Sequence, residues 1–150
     1  MKKITMFLLL IFLMKLLQAQ LPFNRYPVYK GNDLGVAYTK TSSQFRIWSP
    51  PAQSAQLILY KEGEGGQPFK TINLKKGQSG TWFTSVEGDQ KGMFYTFRIR
   101  FNNKWNNEVP DPYAKAAGVN GKRAMVVNLK ETDPSGWANE KSPAFSLQNK

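Results

Sequence analysis

Between Gly31 and Leu129 the chain alternates apolar and polar positions in short runs separated by glycine, proline, asparagine and aspartate. Runs of period two predict strands with one apolar and one mixed face. The longest lies within 92–107, where Met93, Tyr95, Phe97, Ile99 and Phe101 alternate with Phe94, Thr96, Arg98 and Arg100. Asn102-Asn103 follows, two residues that tolerate positive φ and suit a two-residue hairpin turn. That turn predicts pairing of Phe101 with Lys104, Arg100 with Trp105, and Arg98 with Asn107. Cross-strand partners share a face, so Trp105 is expected beside the two arginines, opposite the core-facing Tyr95, Phe97 and Ile99. A one-residue slip would bury it instead.

The remaining strands follow the same logic. Leu34 to Thr39 comes after a Gly31-Asn32-Asp33 turn. In Gln44 to Ser49, Phe45 and Ile47 face one way and Arg46 and Trp48 the other, until Pro50-Pro51 ends the run. Ala55 to Tyr60 places Ala55, Leu57 and Leu59 inward, and a Glu62-Gly-Glu-Gly-Gly66 loop leads to Phe69–Leu74. Lys75 to Gly80 reads as a turn, followed by Trp82, Thr84 and Val86 alternating with Phe83 and Ser85. Pro110 and Pro112 exclude a central strand over Glu108 to Tyr113, Asn120-Gly121 is a turn, and Ala124 to Leu129 is the last strand. Roughly seven or eight strands without a convincing helix predict an all-β fold, an antiparallel β-sandwich. An open Greek-key barrel is the other architecture this spacing allows.

The ends differ in character. Lys2-Lys3, a largely apolar run from Ile4 to Met14, and a small residue at Ala19 read as a signal peptide over 1–19. At ~1.5 Å per residue this run covers about half of a ~30 Å hydrocarbon core. An uncleaved anchor extended through Leu16-Leu17, with Lys15 snorkelling, is the alternative. The expectation is export to the periplasm, cell surface or medium, with no integral membrane association after cleavage. An irregular lead-in occupies 20–30, the sandwich 31–130, and a polar tail or linker 131–150. The mature part is too short for a β/α barrel, which takes about 250 residues. The net charge of +11 falls to +8 once Lys2, Lys3 and Lys15 are removed. The cations are scattered, which suits a solvated basic surface or, alternatively, a secreted domain for an anionic polymer.

Candidate chemistry is narrow. Histidine and cysteine are absent, which removes nucleophile–imidazole pairs, thiolate chemistry and the usual zinc constellations. Glu62, Glu64, Glu87 and Asp89 sit in turns. Glu108 and Asp111 flank Pro110 close to Trp105 and invite a glycosidase reading, but a proline-broken loop offers little burial to raise one pKa, so structural roles are favoured. The 63–66 glycine loop lacks a following lysine and helix for phosphate. Asp133 to Glu140 has calcium-type residues at the wrong spacing. No metal or cofactor is expected. Phe94, Arg98, Arg100 and Trp105 can stack bases and neutralise phosphates, but export argues against nucleic acid. Trp82 reads as core, Trp48 faces a second layer or a partner domain, and Trp137 is expected to dock locally. For Trp105, sugar stacking, docking to a neighbouring domain and burial all stay open.

One resemblance spans about residues 26–143. It is carried by Gly31-Asn-Asp-Leu-Gly35, Phe45-Arg-Ile-Trp-Ser-Pro50, and Trp82 ahead of Gly88-Asp-Gln-Lys-Gly-Met-Phe-Tyr95. The most specific segment is Asn107-Glu-Val-Pro-Asp-Pro-Tyr-Ala-Lys-Ala-Ala-Gly-Val-Asn-Gly-Lys-Arg-Ala-Met-Val-Val127. These residues resemble family 48 of the carbohydrate-binding modules, as found N-terminal to the glycoside hydrolase family 13 barrel of type I pullulanases. The resemblance implies an immunoglobulin-like sandwich packed on a barrel that hydrolyses α-1,6 links in pullulan, glycogen or amylopectin. The barrel, in cis or from a neighbouring gene, would carry the catalytic acids, so no residue of this chain receives a catalytic role. In related glycogen-binding modules a tryptophan just after this hairpin stacks on glucose, and Trp105 falls at that position. Thr96 stands where the family has a lysine, and a second platform tryptophan has no counterpart.

The candidate α-glucan site is therefore Trp105 with Arg98, Arg100 and Asn107, the indole facing a pyranose and the polar groups reaching its hydroxyls. Trp48 and Tyr113 are the candidate docking residues. A purely structural interdomain module is the alternative function.

Overall fold

The computed structural model describes residues 23–143. The expected signal peptide over 1–19, the start of the lead-in and the end of the tail lie outside the described residues. Nine strands form among the described residues: β1 (Gly35–Tyr38), β2 (Ser42–Trp48), β3 (Ser54–Tyr60), β4 (Lys70–Asn73), β5 (Lys75–Lys76), β6 (Thr81–Glu87), β7 (Phe94–Phe101), β8 (Lys104–Trp105) and β9 (Ala124–Met125). No α-helix occurs among the described residues, only short 3-10 turns. One antiparallel sheet has the order β1-β2-β6-β5. The second has the order β4-β3-β7-β8, with β9 also on β7. This is the expected all-β, immunoglobulin-like sandwich, with the two-residue β5 raising the expected count of seven or eight.

The core lies between the sheets and follows the alternation. Phe45 and Ile47 of β2, Ala55, Leu57 and Leu59 of β3, Trp82 and Val86 of β6, and Tyr95 and Phe97 of β7 are buried together. Tyr95 packs edge-on against Phe45 at 5.0 Å between centroids and against Phe97 at 5.7 Å. Such aromatic pairs add about 0.5–1.5 kcal/mol each beyond the area they bury. Trp82 lies in the core as expected, and its indole N–H donates to the Ser49 carbonyl at 3.0 Å.

Three elements differ from the sequence reading. Lys75-Lys76 is a short edge strand on β6, where a turn was expected. Buried Leu74 between β4 and β5 is where the chain leaves one sheet for the other, and its N–H donates to the Ala55 carbonyl. The last strand ends at Met125, because the chain beyond curls into a 3-10 turn at Leu129–Glu131 capped by Asn128. Trp137, expected to dock locally, is 60 % exposed; Gly136 at φ 87° and the adjoining 3-10 turn hold it out in the polar tail.

Strand β7 is central. β3 pairs with it from Phe94 to Arg100. Its other edge is closed by three separate segments: β8 at Arg100 and Phe101, an isolated bridge from Val109 to Phe97, and β9 at Phe94 and Tyr95. The prolines at 110 and 112 prevent one continuous partner. Asp111, in that broken segment, is only 4 % exposed and accepts the buried Tyr95 hydroxyl at 2.7 Å and the Tyr113 backbone N–H at 2.8 Å. Burial raises the Asp111 carboxyl above its ordinary 3.8 and raises the Tyr95 hydroxyl as well.

Removing the buried donor strands Asp111, so Tyr95→Phe is expected to cost about 1–3 kcal/mol in denaturant unfolding. The raised carboxyl pKa sets a sign. Its contribution is full below the ordinary value of 3.8 and is lost as pH rises through the folded value. Wild-type stability relative to Asp111→Asn should therefore fall across that window and level off above it. A difference that grows with pH would contradict the assignment.

Candidate functional site

The outer face of the second sheet is built by the hairpin between β7 and β8. Asn102 and Asn103 both take positive φ, 48° and 60°, the mirror-image turn whose twist matches that of the flanking strands. Arg100 then pairs with Trp105 and Phe101 with Lys104, the expected register. Tyr95, Phe97 and Ile99 pack inward, so Thr96, Arg98, Arg100 and Trp105 are on the outer face, where Thr96 is covered and the other three reach solvent.

Trp105 is 39 % exposed, with the Arg98 guanidinium carbon 5.1 Å from its ring centroid. Arg98 is itself held, its Nε donating to Gln56 Oε1 at 2.7 Å. The Gln56 amide N–H in turn donates to Asn73 Oδ1 at 2.7 Å. A hydrogen-bonded row thus crosses β4, β3 and β7 and meets the indole at its end. Trp105 is neither buried in the core nor loose, and the open part of its ring offers a flat apolar surface among N–H donors.

Asn107 departs from expectation. The Asn106 N–H donates to the Ile99 carbonyl, keeping the hairpin register, but the next pair joins Phe97 to Val109. Asn107 and Glu108 together thus oppose Arg98, a one-residue bulge in place of the expected Arg98–Asn107 pair. Asn107 is exposed. The bulge brings Glu108 to the outer face, where Oε2 accepts the hydroxyls of Tyr60 and Thr96, each at 2.6 Å. Burial, and next the Glu108 hydrogen bond, raise the Tyr60 pKa. The Arg123 guanidinium stacks 3.4 Å from the centroid of the Tyr60 ring and donates to the Glu62 carbonyl.

Gln56, Tyr60 and Arg123 were missed from sequence. One signal was available: Leu57 to Tyr60 is an unbroken apolar run, and unbroken runs mark strands covered on both faces. Glu108 and Asp111 both serve as hydrogen-bond acceptors in the loop, the structural role expected of them, and they point to different sides of the sheet.

Trp48 and Tyr113 come together at a second place. The Trp48 indole N–H is shared between the Ser79 carbonyl at 2.9 Å and the Pro27 carbonyl at 3.1 Å, and Phe23 of the lead-in meets its ring edge-on. Together with Tyr26, Leu34 and Tyr113 they line an open groove of about 320 Å³. Gly35 makes this approach possible: it takes φ +96°, and a Cβ there would come within 3.0 Å of the Tyr113 Cβ. The sugar and docking candidates therefore occupy different surfaces.

The sequence profile of carbohydrate-binding module 48, the isoamylase N-terminal domain, matches residues 33–114. The chain belongs to this family. The carbohydrate-binding module is similar to the pullulanase of Bacillus subtilis, with 36 % identity over 109 residues, covering 71 % of this chain and 15 % of that protein. It is also similar to the crystal structure of Paenibacillus barengoltzii pullulanase in complex with maltohexaose and alpha-cyclodextrin. That likeness has a TM-score of 0.77 and 40 % identity, covering 83 % of this chain and 19 % of that one. For the pullulanase of Bacillus acidopullulyticus the TM-score is 0.73 and the identity 38 %, over 78 % of this chain and 14 % of that one. The chain thus spans less than a fifth of these proteins, and its match is confined to the non-catalytic module.

Trp105 and Trp82 should separate cleanly in a stability measurement. Trp105→Ala loses one exposed cation–π contact and is expected to cost about 0.5–1 kcal/mol. Trp82→Ala empties a core position and is expected to cost about 3–5 kcal/mol. Comparable losses in denaturant titrations would mean that Trp105 is structural.

Proposed function

We propose that this carbohydrate-binding module is the α-glucan-contacting module of an exported, pullulanase-like debranching system. Trp105 is its stacking platform, and Arg98, Arg100 and Asn107 are the groups that reach sugar hydroxyls. One observation carries the reading: an indole left 39 % exposed on the outer face, with a guanidinium fixed beside it by Gln56. Hydrolysis of α-1,6 links in pullulan, glycogen or amylopectin falls to a catalytic barrel, in cis or from a neighbouring gene. A single platform gives weak binding, on the order of millimolar, which becomes useful when tethered next to a catalytic site. The basic n-region, apolar run and Ala19 support export.

A second reading has its own observation. The groove with Trp48 and Tyr113 is aromatic, open and remote from the Trp105 face, which suits docking against the barrel. If that is the module's whole use, it is a structural spacer without sugar affinity.

Titration with maltoheptaose, followed by tryptophan fluorescence, tests the first reading. A saturable change that Trp105→Ala abolishes and Trp48→Phe retains is expected. No saturable change would leave the spacer reading in its place.

A further inference from the structure

The charge around the platform exceeds what a neutral sugar requires. The described residues contain three ion pairs: Arg46 with Asp33, Lys91 with Glu131, and Lys122 with Glu64. None involves Arg98 or Arg100. The segments outside the described residues contain no aspartate or glutamate, so no acidic side chain from them can neutralise the pair. Beside them on this face, the Glu108 carboxylate already accepts the hydroxyls of Tyr60 and Thr96 through its Oε2.

Arg98 and Arg100 are two positions apart on β7 and share a face, so their backbones lie roughly 7 Å apart at ~3.3 Å per residue. That is within the ~8 Å Debye length at physiological ionic strength, so the two charges repel each other and jointly attract an anion. Arg98 is also pre-organised. Its Nε is engaged by Gln56 and its plane is set against Trp105, which leaves the two terminal nitrogens of the fork for a ligand. A guanidinium fork matches phosphate oxygens in pairs, whereas sugar hydroxyls make single bonds that a neutral amide serves as well.

From this we infer that the Trp105 face binds α-glucan carrying phosphate monoesters in preference to the unmodified polymer. The indole takes a glucose ring, and Arg98 and Arg100 take the phosphate of that residue or its neighbour. This rests on the proposed sugar-stacking role of Trp105 and names the substrate class for it.

The test is calorimetric titration of the full chain, at low and at raised salt. The probes are a naturally phosphorylated amylopectin dextrin, the same dextrin after phosphatase treatment, and dextran sulfate. The phosphorylated dextrin is expected to bind about tenfold tighter than its treated counterpart at low salt. Raised salt should shrink that ratio, and the Arg98→Gln/Arg100→Gln variant should bring it close to one. Arg100→Gln alone, which leaves the Arg98–Trp105 contact intact, should lower it partially. Equal binding of the two dextrins overturns the phosphate preference and leaves the neutral-glucan reading standing. Binding of neither overturns both readings. Dextran sulfate binding as tightly as the phosphorylated dextrin, and insensitive to Trp105→Ala, overturns the inference in favour of charge attraction alone.

Discussion

A two-residue turn with both residues in left-handed geometry decides where every side chain of this hairpin points. Asparagine tolerates that region better than other residues with a Cβ, because its short amide can bond the local backbone. With Asn102 and Asn103 at φ 48° and 60°, the strands meet as Arg100–Trp105 and Phe101–Lys104. Side chains alternate with period two, so the same turn keeps Tyr95 and Phe97 in the core and Trp105 outside it. The core and the exposed indole are two outcomes of one backbone choice.

The bulge at Asn107–Glu108 adjusts that choice. Continued in the hairpin register, Val109 would oppose Thr96 on the outer face and Glu108 would turn inward. The extra residue moves Val109 opposite Phe97 and Glu108 to the hydroxyls of Thr96 and Tyr60. Three residues on, Asp111 reaches the other side of the sheet and accepts Tyr95. Two carboxylates near a tryptophan, at a spacing that suggests acid–base chemistry, thus hold down the two faces of one strand. Each satisfies hydroxyls that would otherwise be buried without partners, which costs about 1–3 kcal/mol per group.

Much of this was legible from sequence because the informative signals were local. Alternation identified the inward residues of β2, β3, β6 and β7, and the asparagine pair set the turn and the exposed tryptophan. What was not legible depended on long-range pairing. Lys75-Lys76 has no strand signal of its own and is extended because β6 provides a free edge. The bulge leaves no mark in composition, so the Arg98–Asn107 pairing failed where the register changes. Ile58 and Tyr60 face outward yet are buried, and Arg123 and Glu108, far along the chain, lie against Tyr60. The Trp48 groove needed the lead-in, whose Pro27 carbonyl and Phe23 ring complete it.

The patchwork closure of the outer edge of β7 affects how this fold tolerates change. Its three closures, at Lys104–Trp105, Val109 and Ala124–Met125, are joined by irregular stretches, exposed in part and tucked in at Asp111 and Ala114. Loop closure entropy rises only slowly with length, by about 0.6 kcal/mol per doubling. The exposed turn at Val119–Gly121 can therefore lengthen or shorten while the clamps at either side keep their grip. Among the described residues, β7 thus presents no long bare edge to recruit a foreign strand. An edge sealed in pieces lets loop diversity accumulate beside the Trp105 face without opening the strand edge itself.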